Sequence, residues 1–151
     1  MSKHHRVVPY LKVSSGVDAI KFYEEAFDAD EVSRMMADDG KRVLHCELEL
    51  NDGTIMLSDE FPEYGNQGGT GSPVNLKGTS TTIHLDYKKP KQVDAAMEQA
   101  KAAGAEVIMP AQDVFWGARY GQVRDPFGHV WAFHAMLKKK DREKHEDAKQ
   151  G

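Results

Sequence analysis

The stretch Phe115–His134, FWGARYGQVRDPFGHVWAFH, decides how this chain is read. It holds both tryptophans, and its Asp125-Pro126-Phe127-Gly128 segment is a turn signal between two strand-like runs. Beyond that turn, alternation from Val130 puts Trp131 and Phe133 on one side and Val130, Ala132 and His134 on the other. Before it, Trp116, Arg119 and Tyr120 form a cluster of aromatic rings around a guanidinium, set between Gly117 and Gly121. A hairpin here requires partner strands, and the rest of the chain carries them.

Upstream, Thr79 to Tyr87 reads as a strand. Pro90 then opens a helix whose Val93, Ala96, Met97 and Ala100 fall at helical spacing, and Gly104 closes it. A strand follows over Ala105 to Met109, another around Tyr120 to Arg124, and a last one over Val130 to His134. The first half follows the same plan. Val7 to Val13 is a strand, and Ser15 with Asp18 fits a capping box for a helix carrying Val17, Ile20, Tyr23 and Phe27. Strands are expected over Glu31 to Met36, Val43 to Leu50 and Thr54 to Asp59, with a hairpin turn at Asn51-Asp52-Gly53. In the strand Val43 to Leu50, Leu44, Cys46, Leu48 and Leu50 should share the buried face.

The two halves also match in sequence. Val17-Asp18-Ala19-Ile20 returns as Val93-Asp94-Ala95-Ala96, and Ala29-Asp30-Glu31-Val32 as Gly104-Ala105-Glu106-Val107. The offsets agree to within one residue, which implies a duplicated βαβββ unit. The expected fold class is α+β: two tandem βαβββ modules forming a curved mixed sheet with a cleft. The domain spans 1–136, with module 1 over about 7–59, a linker over 60–78 and module 2 over about 79–135. The linker, rich in glycine, reads as a connection or lid. A charged tail occupies 137–151.

Composition narrows the function classes. With 151 residues the chain can bury about two thirds of its unfolded surface in one domain. A net charge of −4 leaves no cationic excess for nucleic acid. The single cysteine, Cys46, excludes an intramolecular disulfide and a thiolate cluster, and its apolar row makes it a small buried hydrophobe. No apolar run approaches membrane length and no charged-then-apolar leader opens the chain, so a soluble, cytoplasmic protein without a membrane partner is expected.

Paired βαβββ modules with this hairpin resemble the vicinal oxygen chelate superfamily of glyoxalases, extradiol dioxygenases and fosfomycin and bleomycin resistance proteins. The PhnB-like branch is the nearest likeness. Its carriers are Pro9-Tyr10-Leu11, Ala19 to Phe27, Met56-Leu57-Ser58-Asp59, Phe115-Trp116-Gly117, Arg119-Tyr120-Gly121 and Asp125-Pro126-Phe127-Gly128. Ala118 departs from the branch, where an acidic residue is common. Metal-dependent members place a His or Glu ligand on each of four strands, and those positions carry over to Val8, Ser58, Thr82 and Ala132. None is a strong ligand, so the resemblance implies a glyoxalase-like small-molecule binder with the usual metal site lost and no cofactor. The expected ligand is small, aromatic or anionic, and the expected binding residues are Tyr10, His45, Glu47, Ser58, Trp116, Arg119 and Tyr120. Structural ion pairs of Arg119 with Glu47, Asp59 or Asp86 are the competing account of that residue.

The alternative is a metal-dependent lyase or dioxygenase. His84 and His134 lie two residues beyond Thr82 and Ala132, on the same strand faces, and Glu60 lies at the matching place beyond Ser58. Two imidazoles and a carboxylate suit a divalent ion such as Zn, Fe or Mn. A homodimer is expected, because one pair of modules leaves strand edges exposed.

Overall fold

The computed structural model describes residues 6–65 and 71–142. Module 1 runs β1 (Tyr10–Val13), α1 (Gly16–Phe27), β2 (Asp30–Met36), β3 (Val43–Leu50) and β4 (Gly53–Asp59). Module 2 runs β5 (Thr82–Tyr87), α3 (Pro90–Ala103), β6 (Glu106–Val114), β7 (Ala118–Arg124) and β8 (Val130–Met136). Each module forms its own open four-stranded mixed sheet, ordered β1-β4-β3-β2 and β5-β8-β7-β6. The first and last strands of each unit pair parallel and the others antiparallel, so the duplication read from the sequence is a duplication of topology. Among the described residues no helix is long and apolar enough to cross a membrane.

Two turns show why the chain folds back where it does. Leu50 pairs with Gly53, leaving Asn51 and Asp52 as a two-residue loop with φ of 50° and 59°. Both lie in the left-handed region that asparagine and aspartate tolerate best among non-glycine residues, as a tight hairpin requires. In module 2 the buried Asp125 organises the other hairpin, its Oδ1 accepting from the amides of Phe127 (2.9 Å) and His129 (3.0 Å). Gly128 completes that turn with φ 92°.

The start of α1 departs from the sequence reading. Ser15 occupies the N-cap position, but its side chain makes no capping bond. Asp59, at the end of β4, caps the helix instead, accepting from Gly16 N at 2.9 Å and from Val43 N at 2.7 Å. That approach is close enough that a Cβ on Gly16 would stand 2.6 Å from Asp59 Oδ2 and 2.7 Å from Val43. The long linker is also partly structured, with a 3-10 turn at Pro62–Tyr64 and a short α2 at Pro73–Leu76. Residues 66–70 of that linker and 143–151 of the charged tail lie outside the described residues. Arg42 ties the linker's near end to module 1, bonding both carboxylate oxygens of Glu63 and standing 4.4 Å from the centre of the Phe61 ring.

The core is aromatic and spans both modules. Phe22, Tyr23 and Phe27 project from α1 toward Phe127, Trp131 and Phe133, with the Phe27 and Trp131 rings 4.5 Å apart. Burying each such side chain contributes about 2 kcal/mol, so this cluster is a main fastening between the halves. Val17, expected in the same stripe, is 43% exposed instead. Helix α3 contributes a thinner face of Val93, Met97 and Ala100, and Met97 rests directly on Gly121 of β7, where a side chain would collide with its sulfur. Gly121 therefore serves helix packing rather than the turn.

One strand face shifts. Cys46, Leu48 and Leu50 are buried as expected, but Leu44 is 43% exposed and Val43 is fully buried. The β2–β3 register slips between Met35 and Met36, where an irregularity lets Val43 rather than Leu44 turn inward. Cys46 behaves as a core residue, and burial pushes its thiol up to about 11.

Candidate functional site

The faces of the two sheets opposite the core carry the polar residues. In module 1 the side chains of Tyr10 and Lys12 on β1 alternate with the buried Leu11 and Val13. Tyr10 Oη lies 3.0 Å from His45 Nδ1, a diagonal contact across β4, since the register itself aligns Tyr10 with Met56 and Glu47. Glu47, one pleat along from His45, faces Arg6 at 3.9 Å. Ser58 is 1% exposed and receives a hydrogen bond from Lys12 Nζ at 2.9 Å, while donating to Asp59 O. Lys12 also stands 5.4 Å from the centre of the Tyr10 ring. Lys12 is not among the binding residues expected from the sequence. Its signal was available, because it alternates with Leu11 and Val13 on the same face as Tyr10.

The hairpin cluster divides. Trp116 and Tyr120 stay together, their rings edge to face with centres 5.5 Å apart, and Gln122 Nε2 donates to Tyr120 Oη. Arg119 does not join them, because successive strand residues point to opposite faces. It reaches α3, where Nε and Nη2 bond Asp94 at 2.9–3.2 Å and Nη1 bonds Asp113 at 3.0 Å. Its partners are therefore Asp94 and Asp113, not Glu47, Asp59 or Asp86. The two carboxylates neutralise the guanidinium and raise its pKa further, the Asp94 hydrogen bonds first. Trp116 is half exposed, which leaves its ring accessible.

The two histidines converge, with a different carboxylate from the one expected. The parallel β5–β8 register sets Asp86 opposite His134, with His84 one pleat before Asp86 on the same face. Asp86 Oδ1 lies 3.0 Å from His84 Nε2 and 2.9 Å from His134 Nδ1, and the imidazole centres are 5.1 Å apart. The hydrogen bond from His84, followed by that from His134, holds the Asp86 carboxyl below its usual range against the effect of partial burial. Glu60 is engaged elsewhere. It accepts from Ser72 N at 3.0 Å and Asn75 Nδ2 at 2.7 Å, tying α2 to the end of β4. His129, just past the Asp125–Gly128 turn, is half-buried and donates through Nε2 to Lys12 O at 2.8 Å, joining the hairpin of module 2 to β1.

Between the modules runs a groove of about 470 Å³, bordered by Pro9, Asn51, Asp52, Ile83, His84 and Asp86. Asn51 Nδ2 donates to Asp86 O at 2.9 Å, which fixes the end of β5 against the first module's turn.

The four positions to which the resemblance carries the family's metal ligands are a poor fit for an ion. Val8 and Ala132 offer no lone pair, and Thr82 offers only a neutral hydroxyl. Ser58 is already hydrogen-bonded to an ammonium, whose charge repels an approaching cation. No step of chemistry follows from a metal held at those positions.

The comparisons with known proteins agree with this architecture. An uncharacterized protein of Mycobacterium bovis is 44% identical over 124 residues, covering 82% of this chain and 78% of its own length. The crystal structure of TioX from Micromonospora superposes with a TM-score of 0.69 at 25% identity, covering 89% of this chain and all of that one. A PhnB protein from Bacillus cereus shares the fold with a TM-score of 0.65 at 20% identity, over 87% of this chain and 99% of its own. Residues 7–133 match the Glyoxalase/Bleomycin resistance protein/Dioxygenase superfamily, and with the duplicated βαβββ topology already in place, the chain belongs to that superfamily.

Proposed function

We propose that this protein binds a small aromatic or anionic molecule on its concave face, with Lys12 supplying the positive charge that a metal supplies in other members. The observation that carries the reading is the 2.9 Å contact from Lys12 Nζ to Ser58 Oγ, which brings an ammonium to the residue expected to correspond to a family ligand position. An ammonium there attracts the same oxygen-rich or anionic groups, without activating them as strongly as a dication. Tyr10 and His45 supply adjacent polar contacts, and the Trp116–Tyr120 pair offers a ring surface for stacking. Arg119 has no part in this reading, since two carboxylates already hold it. The FWG-x-RYG and DPFG motifs support placement in the PhnB-like branch, and we extend the proposal to a homodimer acting in the cytoplasm, with exposed β2 as an edge available for pairing.

A ligand screen read by tryptophan fluorescence tests it, because Trp131 is buried and Trp116 is the ring a ligand can reach. With any hit, Lys12→Met should weaken binding about tenfold or more, or about 1.4 kcal/mol, with the melting temperature within about 2 °C. Unchanged affinity in that variant would remove Lys12 from the site. Light scattering that gives a 16.9 kDa species would remove the dimer.

A second reading, a metal-dependent lyase or dioxygenase, is favoured by one observation: two histidines and a carboxylate meet on β5 and β8.

A further inference from the structure

We infer that His84, Asp86 and His134 form a three-ligand site for a divalent first-row transition ion, at residues that are none of the four family positions. The inference rests on the metal-dependent reading and is independent of the cleft-binding one. One ligand atom from each residue lies within 4.8 Å of the others. Three donors at about 2.1 Å from one ion stand about 3.0–3.5 Å from each other, and the two Asp86–imidazole spacings of 3.0 and 2.9 Å already meet that value. Only the two imidazoles have to rotate toward each other, on side chains that are exposed or half-buried.

The proton balance is simple. In the present arrangement each imidazole turns a nitrogen toward Asp86 Oδ1, where an N–H donates. To ligate through that nitrogen, the ring gives up the proton and carries its one proton on the other nitrogen. Two neutral imidazoles and one carboxylate then face a dication. The donor set has no sulfur, which suits Zn(II), Fe(II), Co(II) or Mn(II) rather than a soft ion.

The backbone fixes where the ligands stand. Asp86 is held by its backbone, with Asn51 Nδ2 on its carbonyl, and His134 stands opposite Tyr120 in the β7–β8 register. His84 and Asp86 border the groove between the modules, so positions left free on the ion would open toward that space.

The test uses the full chain carrying His4→Ala and His5→Ala, which removes the imidazoles of the N-terminal segment. After chelator treatment, Co(II) titration followed by visible absorption, and Zn(II) titration by calorimetry, should give one ion per chain. His84→Ala, Asp86→Asn and His134→Ala should each weaken binding about tenfold or more, whereas Thr82→Ala, at a family position, should leave it unchanged. As a readout that needs no variant at these residues, Co(II) should broaden the imidazole ring signals of His84 and His134 in proton NMR before those of His45 and His129. Binding that all three substitutions leave intact, or broadening that spares His84 and His134, overturns the inference. A site that binds the ion while no lyase or oxygenase activity is found would sink the enzymatic reading alone. The fluorescence screen run in chelator tests the cleft-binding reading separately.

Discussion

Module 1 and module 2 follow the same path through the same strand order, yet each is fastened by a different buried aspartate. Asp59 serves its own module: both of its hydrogen bonds come from backbone amides of α1 and β3. Asp125 serves the whole molecule. Its Oδ1 shapes the local hairpin, while its Oδ2 accepts from Trp131 Nε1 at 2.9 Å and from Tyr23 Oη, on the other module's helix, at 2.6 Å. The helices differ in the same sense, α1 burying a continuous aromatic face and α3 only three residues. Duplication has thus preserved topology while the joint between the copies is built largely by α1 and the β7–β8 hairpin. The polar faces differ too, with an ammonium on one module and a His–Asp–His cluster on the other.

If that contrast is right, Asp125→Ala should be the most damaging substitution. It strips partners from two buried donors and two turn amides, an expected loss of about 3–5 kcal/mol and a fall in melting temperature of about 10 °C. Asp59→Ala leaves two amides without their acceptor and should cost less, about 2–3 kcal/mol. Equal losses in thermal denaturation would erase the distinction between a local fastening and a shared one. Tyr23→Phe sharpens it further, removing only the bond between the modules, with an expected cost of about 1–2 kcal/mol.

The same tyrosine gives the contrast a pH signature. Burial first, and the Asp125 charge second, raise the Tyr23 pKa well above 10. The folded state therefore favours the protonated phenol, so this contribution is complete below about pH 10, the unfolded value, and is lost as pH rises toward the folded one. Melting temperatures across pH 9 to 11 should fall more steeply in the parent protein than in Tyr23→Phe. Parallel profiles would detach Tyr23 from the joint.

Arg119→Ala should have a smaller effect, about 1 kcal/mol or 2–4 °C, since its partners Asp94 and Asp113 are partly exposed and remain solvated. Ligand affinity should survive that change, whereas Lys12→Met should show the opposite pattern. The smallest effect concerns Cys46, whose thiol is pushed up to about 11. At pH 8 it should resist alkylation in the native protein and react as one thiol per chain once unfolded.

Periodicity, turn residues and the offset between halves were enough to read the duplicated modules, because each is set by neighbours in sequence. The buried rows of Cys46/Leu48/Leu50 and Trp131/Phe133 followed from strand alternation alone, and so did the shared face of His84 and His134. These local rules fail where a strand slips or a partner comes from elsewhere. The irregularity beside Met36 exchanged Val43 for Leu44, and no spacing in the sequence marks it.

What only the tertiary structure decided is which charged group meets which. Asp86, not Glu60, joins the histidines, because the parallel β5–β8 register sets it opposite His134 while α2 draws Glu60 away. Arg119 goes to Asp94 and Asp113, because α3 lies against its face of β7. Asp59 replaces Ser15 as the cap of α1, because the end of β4 arrives beside Gly16. A strand's own sequence fixes which side a residue faces, but a hydrogen bond or ion pair depends on distances of about 3 Å. Those distances are set by register between strands and by helix placement, which join residues far apart in the chain.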